Sequence, residues 1–168
     1  MLSVAIIAGS DPAPLELTLR SLVPASVNGL VSDVLVVSPE PEALAPLCEP
    51  MGAERAMPDD AEAALANCRG EWLLVLEAGA QPLEGWDRVI AAHAKPNARP
   101  GRFEVRDQAE PFWQRLFGRP SRPLMAGLLM PMDQARAAMR TTTLTRLPVG
   151  RAAVTLPATL RVAPEPSR

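Results

Sequence analysis

The first 95 residues alternate between short apolar runs and segments with helical periodicity, and this alternation most constrains what the chain can fold into. The runs are rich in valine, isoleucine and leucine and show no polar alternation, which is typical of parallel strands covered on both faces. They span residues 2–8, 31–37 and 72–76. Between them, leucine or alanine recurs at helical spacing. The pattern predicts an α/β fold with a mainly parallel sheet and helices on both faces.

Elements after residue 95 are less regular. The sequence predicts strands at 101–107, 124–130, 154–156 and 160–162, and helices at 111–117 and 133–139. In the first half it also predicts a short strand at 55–57 and helices at 14–23, 41–48 and 59–69. We see no linker that would separate two domains. We therefore expect a single domain over 1–162, followed by a loose C-terminal tail at 163–168.

Composition limits the class of protein. A chain of 168 residues that is 48% hydrophobic is able to bury a core of ordinary size. No apolar run reaches the length of a membrane-spanning helix, and the first residues lack the basic start of a signal peptide. Cys48 and Cys68 are the only cysteines and have apolar neighbours. They are expected to be buried free thiols, which suits a reducing cytoplasm.

Charge is divided unevenly along the chain. Residues 1–94 carry 14 acidic and 4 basic side chains, whereas residues 95–168 carry 5 acidic and 13 basic ones. Within 95–122, seven basic residues are interleaved with aromatic ones, namely Phe103, Phe112, Trp113 and Phe117. This segment is expected to contact a protein partner or, peripherally, an anionic membrane surface. The alternative is that the aromatic rings pack on the sheet while the arginines stay solvated. An acidic chain without a recognition motif argues against nucleic acid.

One stretch carries a more specific signal. Residues 69–86 read RGEWLLVLEAGAQPLEGW, which predicts a buried strand, a turn of small residues and a helix that begins at Gly85 and Trp86. Together with the runs at 2–7, 15–22 and 31–37, its order and spacing resemble the family 2 glycosyltransferases of GT-A fold over residues 1–95. The resemblance implies a bacterial-style protein related to nucleotide-sugar-dependent glycosyl transfer.

The resemblance also implies a set of site residues. The turn after the first strand, which lies beside the nucleotide in the family, corresponds to Ala8, Gly9, Ser10 and Asp11. The alternative for this turn is a simple helix cap made by Ser10 or Asp11. The residue that binds the nucleotide base corresponds to Ser38. The two aspartates that hold the divalent cation correspond to Glu77 and Gly79.

These positions depart from the family in ways that affect the chemistry. Mg²⁺ or Mn²⁺ bound with a diphosphate needs hard oxygen ligands, and here only Glu77 supplies a carboxylate. The segment 140–146, where the family has its general base, contains threonines and no acid. We therefore expect a weak or inactive transferase. The alternative is a non-catalytic interaction or binding module on the same fold.

Other chemistries have little support in the sequence. His93 is the only histidine, and nothing places a serine or cysteine nucleophile beside it. The chain has no glycine-rich dinucleotide or P-loop sequence and no Cys/His cluster for zinc. The remaining expectation concerns geometry: Trp72 is predicted to be packed against the sheet, and Glu77 to open onto a cleft at the strand's carboxyl end.

Overall fold

The computed structural model describes residues 1–107, 127–147 and 153–162. Eight strands are present in these ranges: β1 (Leu2–Ile7), β2 (Val31–Val37), β3 (Glu54–Ala56), β4 (Trp72–Glu77), β5 (Ala80–Pro82), β6 (Gly101–Asp107), β7 (Leu128–Pro131) and β8 (Val154–Val162). The helices are α1 (Pro12–Val27), α2 (Ala45–Cys48), α3 (Ala61–Asn67), α4 (Trp86–His93) and α5 (Met132–Met139). Short 3₁₀ turns occupy Pro41–Leu44, Glu49–Met51, Pro58–Asp60 and Leu144–Arg146.

The strands form one mixed sheet in the order β3-β2-β1-β4-β7-β6-β8-β5. The first four strands run parallel to one another. Strand β7 is antiparallel to both β4 and β6, β6 is parallel to β8, and β5 is antiparallel to β8. The predicted α/β class with a mostly parallel sheet is confirmed.

Helices cover both faces of the sheet, as predicted. Alternate residues of β4 face opposite sides, because side chains along a strand alternate. Leu74 and Leu76 belong to the core beneath α1 and α4. Leu73 and Val75 belong to a second core beneath α3 and α5. Trp72 is buried in the first of these cores, as expected.

Helix α1 begins two residues before the predicted start at residue 14, and it ends at Val27 instead of residue 23. Asp11 is the N-cap, and its Oδ1 accepts a hydrogen bond from the backbone N–H of Ala13 at 3.0 Å. Pro12 follows at the first helical position, where its fixed φ suits the helix. Asp11 is therefore the helix cap that the sequence suggested at Ser10 or Asp11.

A polar network joins the strands at the amino-terminal end of the parallel sheet, which we call the amino edge. Asp33 Oδ2 accepts hydrogen bonds from Ser3 Oγ at 2.8 Å, Ser32 Oγ at 2.7 Å and the backbone N–H of Arg69 at 2.9 Å. The Arg69 guanidinium reaches Asp33 Oδ1 at 3.0 Å, and Ser3 Oγ also accepts from the Gly70 N–H at 2.9 Å. The network ties β1, β2 and the start of β4 together.

The later elements differ from the sequence prediction in detail. The two short strands expected at 154–156 and 160–162 are one strand, β8, whose pairing with β6 shifts register between Phe103 and Glu104. That shift lets the strand continue through Pro157, which has no N–H to donate. The predicted helix at 59–69 is shorter, because a 3₁₀ turn precedes it and it ends at Asn67.

The remaining predictions concern the cysteines, three later segments and the length of the helices. Both cysteines are free and buried, as expected. The predicted helix at 111–117, the start of the predicted strand at 124–130 and the tail at 163–168 lie outside the described residues. Within the described ranges, every helix is too short or too polar to cross a membrane.

Candidate functional site

The carboxyl ends of β1, β2 and β4 meet at one edge of the sheet. In the register, Ile7 lies opposite Val37 on one side and opposite Glu77 on the other. The chain proceeds from β1 to β2 and β3 on one side, and then returns to place β4 on the other side of β1. Ligands of open α/β sheets bind outside the strand ends at such a switch of order. The turns 8–11, 38–40 and 77–79, here called the carboxyl edge, are therefore the candidate site.

The first turn of the carboxyl edge is open to solvent. Ala8 is buried and donates its N–H to the carbonyl of Val37 at 2.9 Å, whereas Gly9, Ser10 and Asp11 are exposed. A Cβ atom added at Gly9 would meet no atom within 4 Å. The turn therefore has room for a ligand beside it, although the carboxylate of Asp11 would repel a diphosphate. The nucleotide-binding role of these four residues stays a prediction.

The start of α1 offers few backbone donors to an anion. Helix N-termini hold phosphate through N–H groups that have no partner within the helix. In α1, Pro12 and Pro14 have no N–H, and the N–H of Ala13 is satisfied by Asp11. The first three helical residues therefore leave no unpaired N–H for a phosphate.

The second turn is fastened by a buried hydroxyl. Ser38 is 0% exposed. Its Oγ donates to the carbonyl of Gly9 at 3.1 Å and accepts from the N–H of Glu40 at 3.1 Å. Its own N–H donates to the carbonyl of Ala56. Ser38 thus links the ends of β1, β2 and β3, and its role in binding a nucleotide base stays a prediction.

The third turn holds the residues predicted to bind a cation. Glu77 is half-buried at the end of β4, and strand alternation places it on the same face as Leu73 and Val75. Gly79 has a φ of 96°, a left-handed conformation that favours glycine. This backbone requirement gives Gly79 a structural reason to be glycine, independent of any ligand.

Backbone hydrogen bonds hold the third turn on both sides. The N–H of Ala78 donates to the carbonyl of Ile7 at 2.8 Å. The N–H of Gly79 lies 3.0 Å from the carbonyl of Pro14 and 2.9 Å from Thr18 Oγ1. Sequence reasoning missed Thr18. The signal that would have revealed it is a polar residue on the apolar face of α1, between Leu15 and the following leucines.

The described residues do not by themselves form a metal centre. In ranges 1–107, 127–147 and 153–162, no three His, Cys, Asp or Glu side chains lie close enough together to hold a metal ion. Glu77 is the one carboxylate of the turn 77–79. A cation bound with a diphosphate takes one or two carboxylates and completes its shell with phosphate and water oxygens. The donor set therefore fits a cation that arrives with a phosphate ligand better than a resident metal.

Two cavities in the described part of the chain lie away from the carboxyl edge. One of about 530 Å³ lies at the amino end of β4, between Glu71 and Trp72 and the start of α5. Another of about 320 Å³ lies between α1 and the start of α4. Glu77 lines neither of them. The expectation that Glu77 opens onto a cleft stays a prediction.

His93 has a structural environment. Its ring makes an edge contact with Trp72, with 6.0 Å between the ring centroids. Its Nε2 lies 2.8 Å from the carbonyl oxygen of Arg99. These contacts join the end of α4 to β4 and to the loop after α4, and His93 is a satisfied histidine, as expected.

Comparison with known proteins identifies the architecture. No protein-family model matches the chain, and no curated protein sequence matches it significantly. Among solved structures, it is similar to mannosyl-3-phosphoglycerate synthase from Rubrobacter xylanophilus, with a TM-score of 0.60 and 13% identity over 99% of this chain and 68% of the other. The fold is of the GT-A type.

A second similar structure is glucosyl-3-phosphoglycerate synthase from Mycobacterium tuberculosis. Its complex with Mn²⁺ and uridine-diphosphate-glucose gives a TM-score of 0.60 and 14% identity, over 100% of this chain and 72% of the other. Its complex with Mn²⁺, uridine diphosphate and glucosyl-3-phosphoglycerate gives a TM-score of 0.56 and 14% identity. The predicted GT-A-like fold is thus confirmed, while identities this low show the fold and not the reaction.

Proposed function

We propose that this GT-A protein is related to family 2 glycosyltransferases and binds a nucleoside diphosphate or nucleotide sugar at the carboxyl edge, with weak or absent glycosyl transfer. The observation that carries the proposal is the end of β4, where Glu77 is the single carboxylate of the turn and Gly79 has no side chain. The similar synthase was solved with uridine diphosphate and Mn²⁺, which supports a ligand of this class. In this chain, Mg²⁺ or Mn²⁺ would be held by Glu77 together with the ligand's phosphates.

Two features support the weakness of transfer. A cation with one protein carboxylate is poorly neutralised and poorly oriented against the diphosphate. The segment 140–146 offers threonine hydroxyls, which have no useful basicity near neutral pH, and general base catalysis is typically worth about 10²–10⁴-fold. In the structure, Thr143 Oγ1 and Thr145 Oγ1 lie 2.9 Å apart and hydrogen-bond to each other.

Calorimetric titration with uridine and guanosine diphosphates, with and without Mn²⁺, tests the binding. We expect weak binding that needs Mn²⁺ and that Glu77→Gln abolishes. Glu71→Gln is the matched control, because it makes the same change of charge at an exposed residue just before the other end of β4. Binding that is independent of both Mn²⁺ and Glu77 would contradict the proposed role of Glu77.

The second candidate is a non-catalytic interaction module on the same fold. A specific observation favours it: the first three residues of α1 leave no unpaired N–H for a phosphate, because two are prolines and Asp11 accepts from the third. A protein partner or an anionic membrane surface would then contact the basic segment 95–122, in the cytoplasm, with no role for nucleic acid. The structure describes 95–107 of this segment. There, Phe103 is buried in the core and Arg102 is exposed.

Absence of any nucleotide binding in the titration, with a folded protein, would favour the interaction module. Sedimentation with vesicles that contain or lack anionic lipid then separates the two kinds of partner. Binding to anionic vesicles that weakens with salt supports a membrane surface, since charge attraction is screened. Failure to bind either kind of vesicle leaves a protein partner as the supported alternative.

A further inference from the structure

Thr18 is a polar residue in an apolar environment. It lies on the face of α1 that also carries Leu15, Leu19 and Leu22, and it is 0% exposed. A buried hydroxyl is costly unless it is hydrogen-bonded. Threonine is also a weaker helix former than leucine or alanine. Packing alone would therefore favour an aliphatic side chain at this position.

The hydroxyl of Thr18 is used in a contact between distant parts of the chain. Its Oγ1 donates to the carbonyl of Pro14 at 3.4 Å, which is a long, weak bond one helical turn away. The same oxygen accepts the N–H of Gly79 at 2.9 Å. The Gly79 N–H is shared with the carbonyl of Pro14 at 3.0 Å. Thr18 thus completes a three-centre hydrogen bond that fastens the end of β4 to α1.

With this contact, the turn that contains Glu77 is hydrogen-bonded to both β1 and α1. On the side of β1, the N–H of Ala78 donates to Ile7. On the side of α1, the N–H of Gly79 donates to Pro14 and Thr18. The backbone on the carboxyl side of Glu77 is therefore held at two consecutive residues. A carboxylate that holds a cation depends on such fixing, because the groups that surround a ligand set its orientation.

We propose that Thr18 is a positioning residue, whose hydroxyl fixes the turn 77–79 against α1 and thereby sets the position of the Glu77 carboxylate. The consequence for ligand binding rests on the proposed function. The consequence for the turn itself does not, since it concerns a hydrogen bond within the protein.

The test uses Thr18→Val, which keeps a branched side chain and removes the hydroxyl, and Thr18→Ser, which keeps the hydroxyl. Ser3→Ala is the matched control, because Ser3 is a buried hydroxyl that accepts a backbone N–H, that of Gly70, at the opposite edge of the sheet. Thr18→Ala removes the same hydroxyl without a new methyl contact and replaces Thr18→Val if valine prevents folding. Two quantities are measured in each variant: amide hydrogen exchange of Gly79 relative to Val75, and affinity for uridine diphosphate with Mn²⁺.

In Thr18→Val we expect exchange at Gly79 to accelerate about two- to fivefold relative to Val75, because its N–H loses one of two acceptors and keeps the carbonyl of Pro14. The affinity of Thr18→Val for uridine diphosphate with Mn²⁺ is expected to fall by about the same factor. Thr18→Ser should restore both quantities, and Ser3→Ala should change neither.

Exchange at Gly79 that rises no more than at Val75 would overturn the proposal. So would a faster Gly79 exchange with unchanged affinity, because the turn would then be freed without affecting Glu77. If the wild-type protein binds no nucleotide, the proposed function fails, and the exchange comparison by itself supports or overturns the fixing of the turn by Thr18.

Discussion

Replacing Asp33 with asparagine is expected to destabilise the protein at neutral pH and to have little effect in strong acid. Burial raises the pKa of the Asp33 carboxyl. Hydrogen bonds from Ser32, Arg69 and Ser3 lower the pKa by more than burial raises it, and the pKa in the folded protein is about 2. The side chain is 19% exposed, so these bonds are only partly screened by water. Each of them favours the charged carboxylate over the neutral acid.

The magnitude follows from the pKa difference. The ordinary pKa is 3.8 and the folded value is about 2. A difference of just under two pH units corresponds to about 2 kcal/mol of unfolding free energy. Because the folded pKa is the lower one, this stabilisation is fully present above the ordinary pKa. It is lost as the pH falls through about 2.

Urea unfolding at a series of pH values measures the effect. Asp33→Asn should lower the free energy of unfolding by about 2 kcal/mol near pH 7, and the difference from wild type should shrink as the pH falls below about 4. Asp59→Asn, at an exposed carboxylate, is the control for the change of charge. The Arg69 side chain is 72% exposed, so its ion pair with Asp33 contributes little to stability. Added salt, which screens that ion pair, should therefore alter the difference only slightly. A difference that is absent, or that does not vary with pH, would refute this account of the amino edge.

Further mutations test other contacts by urea unfolding. Arg136→Ala should lower the free energy of unfolding by about 1–3 kcal/mol. The Arg136 guanidinium donates to carbonyls at the end of α3, including that of Cys68 at 2.7 Å. Arg136→Lys should recover only part of the lost stability, because lysine lacks the planar fork of donors. An alanine variant as stable as wild type would contradict this. Gly70→Ala should cost more than about 2 kcal/mol, since the added Cβ would clash with the backbone nitrogen of Ser3. Gly9→Ala, which adds a Cβ in open space, should stay within about 0.5 kcal/mol, and equal effects at the two glycines would refute the reasoning.

The parallel half of the sheet was predictable because its signal is local. The runs at 2–8, 31–37 and 72–76 are continuous and apolar, and each becomes a strand within one residue of the prediction. The positions of the strand ends then place the carboxyl edge. The direction of β7 was not predictable in the same way, because antiparallel pairing with β4 depends on contacts between distant segments. Strand β5 has only three residues, one of them a proline, which is too short for a periodic pattern.

The candidate site shows the same limit. The positions of Ser38, Glu77 and Gly79 at strand ends followed from the sequence. The internal hydrogen bonds of Ser38 and the contact of Thr18 with Gly79 did not, because their partners lie 29 and 61 residues away. The loss of N–H donors at the start of α1 was readable in the sequence, since two of its first three residues are proline. A helix start that binds phosphate has unpaired backbone N–H groups, and the prolines at the start of α1 remove them.

We propose that this GT-A protein has a carboxyl edge that supports little or no glycosyl transfer. The most direct test is turnover of a panel of uridine and guanosine nucleotide sugars with Mn²⁺, measured as release of the nucleoside diphosphate. Wild type and Glu77→Gln are compared, with Glu71→Gln as the control. We expect release of the nucleoside diphosphate close to the uncatalysed background for all three proteins. Robust release by the wild type and by Glu71→Gln that disappears in Glu77→Gln would contradict it and would make Glu77 a metal ligand of an active transferase.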